Sequence, residues 1–207
     1  RFEPNTRATV QEIWNGLETT SQNKYPSLKF DVGAINDAAY MLFSAGFYYK
    51  TFMWPKSFWH KVYEPFIRAA AGLGVSPTES DPDSYASRNL HCDVLVVGAG
   101  PAGLAAARAA AVDGLKVVLV DENAEAGGTL LSEPQARIDG VSAWEWLAGE
   151  LGALKALGVR IMTRTTAIAY YHQNMVGLCE RLTDHLETQP KDVPRERLWR
   201  VRARQVV

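Results

Sequence analysis

The sequence predicts an α/β fold centred on a parallel βαβ unit, on three observations. An apolar run at Val94–Val97 feeds glycines at 98, 100 and 103, an alanine-rich stretch follows, and a second apolar run, Val117–Val120, ends in the acid Asp121. Strand, glycine turn, helix, strand and terminal acid in that order, within about 30 residues, form the pattern of a dinucleotide-binding unit.

Each part has a physical task. Gly98 allows the tight turn out of the first strand, Gly100 lets backbone approach a pyrophosphate, and Gly103 lets the helix lie close to the sheet. Pro101 falls at the first helical position, where the N–H that proline lacks would have no intrahelical acceptor. The remaining free N–H groups and the helix dipole favour phosphate. Asp121 is placed to accept hydrogen bonds from a ribose diol, and together with Glu122 it suits a free 2′-hydroxyl and repels a 2′-phosphate. The loop alone fits NAD and FAD equally, because their adenosine halves use the same turn and acid.

Composition narrows the function classes. The chain has 207 residues, 47% of them hydrophobic, and a formal net charge of -1, which gives no electrostatic reason to expect nucleic acid or an anionic membrane as partner. The N-terminal sequence has no signal-peptide core, and no apolar run has the length of a membrane span, so a cytoplasmic location is expected. The two cysteines, Cys92 and Cys179, are far apart and lack metal-ligand spacing. They are expected to be small core hydrophobes. His60, His91, His172 and His185 are scattered, and the residues suggest no metal site, hydride-transfer acid or base, or catalytic triad.

Along the chain, Thr9–Trp14 mixes β-branched and polar residues as an exposed strand does, and the stretch 16–26 is polar and turn-rich. Residues 37–71 are dense in rings: Tyr40, Phe43, Phe47, Tyr48, Tyr49, Phe52, Trp54, Phe58, Trp59, Tyr63 and Phe66. Such density suggests either a partner surface or the inner face of a local helical layer. From Pro55 the pattern is helical, with Phe58, Val62, Phe66 and Ile67 on one face and a kink or break expected at Pro65. The tract SPTESDPDSYASRN reads as a surface linker. The domains expected are an interface segment at 1–75, a linker at 76–91 and a dinucleotide-binding domain at 92–207, truncated at its C-terminal end.

After Asp121 the pair Gly127-Gly128, followed by Thr129, would let backbone pass close to the adenosine side of a nucleotide. Ser142 and Glu145 form a capping box for a helix whose inward face is Trp144, Leu147, Leu151 and Leu154, with Gly158 as its stop. Val159–Met162 is the third parallel strand. Antiparallel strands are expected at 167–171, 176–181 and 198–202, with a His172-Gln-Asn turn and a charged loop at 183–196, and Val206-Val207 opens a further parallel strand. The fold class is therefore an FAD/NAD(P)-binding Rossmann-type βαβ with a β-meander, incomplete, preceded by an aromatic-rich, mainly helical or irregular segment.

GFYYKTFMWP at 46–55 closely resembles the alpha subunit of heterotetrameric sarcosine oxidases, as do EPNTRAT at 3–9, YEPFIRAAAGLG at 63–74 and DVLVVGAGPAGLAAA. By that resemblance, which spans nearly the whole sequence, the chain is an internal piece of a longer subunit. The activity implied is oxidative demethylation of sarcosine to glycine with hydrogen peroxide, and with formaldehyde or methylene-tetrahydrofolate as the fate of the methyl carbon. The resemblance implies NAD in this chain and FAD and FMN elsewhere in the complex, with tetrahydrofolate as co-substrate and beta, gamma and delta subunits as partners. The NAD contacts it carries over fall on Ala102, Asp121, Glu122, Asn123, Thr129 and Ile168. Gly98, Gly100, Gly103 and Gly128 join them from the backbone argument above. A subunit of a related amine dehydrogenase, such as N-methylglutamate dehydrogenase, and a structural nucleotide-binding assembly module are the alternatives.

Overall fold

The computed structural model describes residues 5, 6, 8–42, 45–47 and 52–207. Of the expected ring cluster, Phe43, Tyr48 and Tyr49 lie outside the described residues, as do parts of GFYYKTFMWP and EPNTRAT. The chain divides into two compact units, one of 1–11 and 16–81, the other of 12–15 and 82–207.

The first unit is built from short helical turns and loops. Among the described residues its α-helices include α1 (Ile35–Ala38) and α2 (Glu64–Ala70). A 3-10 turn at Lys56–Phe58 and a π-turn at Trp59–Tyr63 lead directly into α2. The helical pattern read from Pro55 is thus three short pieces, and the change of helix type falls just before Pro65, which sits in the first turn of the last. The expected apolar face is not covered: Phe58 and Val62 are half-exposed and Phe66 is 71% exposed. The strand expected at Thr9–Trp14 is absent; Ala8–Val10 is a 3-10 turn and the residues after it pair with no strand.

The second unit carries the sheet. Its strands are β1 (Tyr85–Val97), β2 (Val117–Val120), β3 (Arg137–Ile138), β4 (Val141–Ser142), β5 (Arg160–Met162), β6 (Thr165–Tyr171), β7 (Met175–Arg181) and β8 (Glu196–Val206). Two helices lie between them, α3 (Pro101–Val112) and α4 (Ala143–Ala156). The main sheet runs β5-β2-β1-β8-β7-β6, while β3 and β4 form a small hairpin. β5, β2, β1 and β8 are mutually parallel, and β8-β7-β6 is an antiparallel meander.

Two of these strands are longer than the sequence suggested. β1 begins at Tyr85, so the end of the polar tract is strand and not linker; it pairs with β8 from Tyr85↔Glu196 to Leu95↔Val206. Val206-Val207 opens no new strand. Val206 is the last residue of β8, which runs parallel to β1 over its whole length and completes the meander with residues 196–202, and Val97 N–H donates to the Val207 carbonyl at 2.8 Å.

Side-chain alternation divides the core into two faces. Val94, Val96, Val117 and Leu119 point to α3 and α4, where they meet Leu104, Ala107, Leu147 and Leu154. Leu95, Val118, Val120 and Met162 point the other way, against Val176, Leu178, Trp199 and Val201 of the meander. β2 and residues 94–96 of β1 are therefore covered on both sides, as a run of consecutive apolar residues requires.

α4 is capped as expected at its start, where Ser142 Oγ accepts the Glu145 N–H at 3.3 Å. It ends in a Schellman motif: Gly158, with φ +76°, donates to Lys155 and Val159 to Leu154. Of its expected inward face, Leu147 and Leu154 are buried and Leu151 packs against the same core, whereas Trp144 is 58% exposed and Ala143 and Glu150 are inside as well. The buried Glu150 carboxylate is paired with the Arg108 guanidinium of α3. Leu154→Ala should therefore cost about 2–5 kcal/mol of unfolding free energy. Trp144→Ala should stay within about 0.5 kcal/mol of the parent; chemical denaturation of the two variants measures both.

Candidate functional site

The C-terminal ends of β1 and β2 meet the start of α3 in a turn held by four contacts. Gly98, at φ +103°, donates its N–H to the Val120 carbonyl at 2.8 Å, which ties the turn to the end of β2. Asp121 Oδ2 accepts the Ala99 N–H at 2.6 Å. Gly127 N–H donates to the Ala99 carbonyl at 2.7 Å, and Leu104 N–H closes the first helical bond on the Gly100 carbonyl at 2.9 Å.

The three motif glycines differ in what surrounds them. A Cβ at Gly103 would lie 1.8 Å from the Gly98 carbonyl oxygen, so the helix can approach the turn only without one. A Cβ at Gly100 would meet nothing within 4 Å. That open space lies at the N-terminus of α3, where the first N–H groups of a helix have no intrahelical acceptor and the dipole is positive. Gly128, at φ +56°, backs the same position from the other side, because a Cβ there would stand 3.0 Å from the Gly100 Cα. Backbone thus comes close on two sides of a small cradle that side chains would fill, and the cradle fits a pyrophosphate.

Asp121 departs from its expected role in one respect. It is 8% exposed, and besides the Ala99 N–H it accepts the Asn123 N–H at 2.8 Å and the Asn123 side-chain amide at 3.0 Å. A carboxylate has about four acceptor positions, so the chain itself occupies most of them. The acid is first a brace for the glycine turn, and a ribose hydroxyl would take what capacity remains. Glu122 is half-exposed, and its carbonyl accepts from the Arg181 guanidinium. Asn123 is exposed, and its carbonyl accepts the Arg164 N–H at 2.8 Å.

Gly98, Gly100, Ala102, Gly103, Asp121, Asn123 and Gly128 are gathered around this one turn. Thr129 lies on the exposed side of the 3-10 turn Gly128–Leu131 that follows the glycine pair. Ile168 is on β6, whose first residue, Thr165, donates its N–H to the Asp121 carbonyl at 2.7 Å. The register shifts between Ala167 and Ala169, which makes Ile168 the extra residue of a β-bulge, and it is 56% exposed.

The sequence reading missed an ion-pair cluster beside the acid turn. Arg164 clamps the Glu12 carboxylate with both Nε and Nη2, the latter at 2.8 Å, and His185 Nδ1 lies 3.9 Å from Glu12 Oε2. The guanidinium holds the Glu12 carboxyl below the usual glutamate range, against a smaller opposing effect of burial. No local pattern marks such a pair, because its members are 152 positions apart.

Burial pushes the thiols of Cys92 and Cys179 up to about 11. Among the described residues there is no cluster of His, Cys, Asp or Glu suited to a metal ion, and no helix is long and apolar enough to cross a membrane.

Residues 93–198 match the family model described as FAD dependent oxidoreductase. The chain is 50% identical to the sarcosine oxidase subunit alpha of Rhizobium meliloti over 97% of its own length and 20% of that relative's. It is 45% identical to the protein of that name from a Corynebacterium species (strain U-96), over 66% of this chain and 14% of the other. Among solved structures, the L-proline dehydrogenase of P. horikoshii aligns with a TM-score of 0.47 and 19% identity, over 62% of this chain and 23% of that one. The chain therefore spans about a fifth or less of the curated relatives' length.

Two outcomes follow from the geometry. Gly103→Ala should abolish the native fold, seen as loss of the cooperative thermal transition, whereas Gly100→Ala should keep that transition and weaken nucleotide binding by about tenfold or more. At pH 8 a thiol raised to about 11 is thiolate in only about one molecule in a thousand. Alkylation of both cysteines should consequently be slow in the native protein and become fast on denaturation.

Proposed function

The chain belongs to the FAD-dependent oxidoreductase family, and from that premise we propose that it is the nucleotide-holding part of a sarcosine oxidase alpha subunit. The identity to that subunit across almost the whole chain, covering both compact units, carries this reading. In the complete enzyme sarcosine, oxygen and water give glycine, formaldehyde and hydrogen peroxide, or the one-carbon unit passes to tetrahydrofolate as the methylene adduct. The partners are beta, gamma and delta subunits of a heterotetramer, and the location is cytoplasmic.

NAD is the nucleotide assigned to this chain, with FAD and FMN elsewhere in the complex. A bound flavin supplies two-electron acceptance from a C–H bond next to nitrogen. The residues of this chain bind and orient. The α3 N-terminus and the backbone at 98–103 receive the pyrophosphate, with Gly128 keeping the opposite wall low. Asp121 and Glu122 face the adenosine ribose, while Asn123, Thr129 and Ile168 border the same nucleotide. FAD in this cradle is the second reading, favoured by the description of the matching family.

Acid extraction of the purified complex followed by mass analysis distinguishes them. One NAD per alpha chain, lost in Gly100→Val while the FAD content is kept, is the expected result. FAD lost from the same variant assigns the cradle to the flavin. Sarcosine-dependent peroxide formation by the intact complex tests the reaction, and turnover of N-methylglutamate with an artificial acceptor alone would overturn it.

A further inference from the structure

We propose that Glu12 sets the nucleotide specificity of this site by neutralising Arg164, so that the site accepts adenosine with a free 2′-hydroxyl and refuses a 2′-phosphate. The proposal rests on the reading of the glycine turn as a dinucleotide cradle.

In a βαβ nucleotide site the ribose 2′-position faces the acid that ends the second strand and the residues just after it, and a nearby arginine is what accommodates a 2′-phosphate. Arg164 stands at that place. Its N–H is bonded to the carbonyl of Asn123, two residues beyond the acid, and the next residue is bonded to Asp121 itself. Its guanidinium is near enough to Glu125 to be influenced by that charge. A planar fork of donors so placed matches a phosphate bidentately.

In the structure that fork is used otherwise. Both faces of the pair are only about a quarter to a third exposed, and Glu12 takes Nε and Nη2 together. The carboxylate reaches the site from a four-residue segment, 12–15, which packs with the sheet unit although its neighbours in sequence belong to the other. Arg181 is engaged with the Glu122 carbonyl. A 2′-phosphate would thus meet Asp121, Glu122 and a guanidinium whose charge is already compensated, and it would have to displace a bidentate carboxylate to be bound.

The test titrates the intact protein, stripped of nucleotide, with 5′-AMP and with adenosine 2′,5′-bisphosphate. The parent should prefer 5′-AMP, and Glu12→Gln should shift the ratio of the two dissociation constants by about tenfold or more toward the bisphosphate. Adding Arg164→Gln to that variant should return the ratio to the parent value. Arg164→Gln alone leaves the Glu12 carboxylate uncompensated and should shift the ratio further toward 5′-AMP. An unchanged ratio in Glu12→Gln with 5′-AMP binding retained would overturn the proposal and leave the cradle intact. So would a rise in bisphosphate affinity in Arg164→Gln alone. Failure of the folded parent to bind either probe would overturn the dinucleotide reading and this proposal with it.

Discussion

The hydrogen bond from the Ala99 N–H to the Asp121 carboxylate, at 2.6 Å, is the contact on which the rest of the second unit depends. It joins the turn after β1 to the end of β2 inside the protein, where a lost acceptor leaves a buried donor unsatisfied. Around it, Ala99 and Asp121 each make a second connection. The Ala99 carbonyl holds Gly127, and the Asp121 carbonyl holds Thr165 at the start of the meander. One residue pair therefore fixes the first glycine turn, the second glycine turn and the entry to β6. Asn123, bonded to the free side of the same carboxylate, keeps the side chain from rotating away. The consequence for ligand binding is that the cradle is formed by the chain itself before any nucleotide arrives.

The parts of this architecture that were legible in the sequence are those where one physical pattern dominates. Consecutive apolar residues at 94–97 and 117–120 pointed to buried strands, which all but the 43% exposed Val97 bear out, and the glycine spacing between them pointed to the turn. Two errors came from weighing residue type above periodicity. Trp144 looked like part of the inward face of α4 together with Leu147, Leu151 and Leu154, but Ala143 and Glu150 share the helical spacing of Leu147 and Leu154 and are buried in its stead. Ala143 allows close packing there, and one Glu150 oxygen is paired with Arg108. In β8 the alternation of Trp199, Val201 and Ala203, buried, with Arg200, Arg202 and Arg204, exposed, runs without interruption. That period of two announces a single long strand, which the arginines concealed.

Other features had no local signal at all. Tyr85–His91 is a strand because β8 lies beside it, and its polar composition reflects the exposure of most of its residues. The Glu12–Arg164 pair arises from contact between distant segments. In the first unit the rings suggested either a partner surface or a buried local layer, and several of the described ones are exposed: Tyr40 is 69%, Trp54 84% and Phe66 71% accessible. Ring contacts there are local, such as Phe52 with Tyr63 at a centroid distance of 5.3 Å. Composition can show that apolar surface exists, but what covers it is decided by long-range partners.

The chemistry available at the cradle follows from its residue types. Between 98 and 104, and again between 121 and 129, the titratable side chains are Asp121, Glu122 and Glu125, all carboxylates. Asp121 is committed to three hydrogen bonds as an acceptor. These segments hold no histidine, cysteine, tyrosine or lysine, the other side chains that commonly serve as general acids or bases. What they contribute is a fixed arrangement of N–H donors, a helix dipole and acceptor oxygens. On the proposed function, electron and proton transfer would be completed by groups outside these two segments, and the cradle would act on them through the position it imposes on a nucleotide.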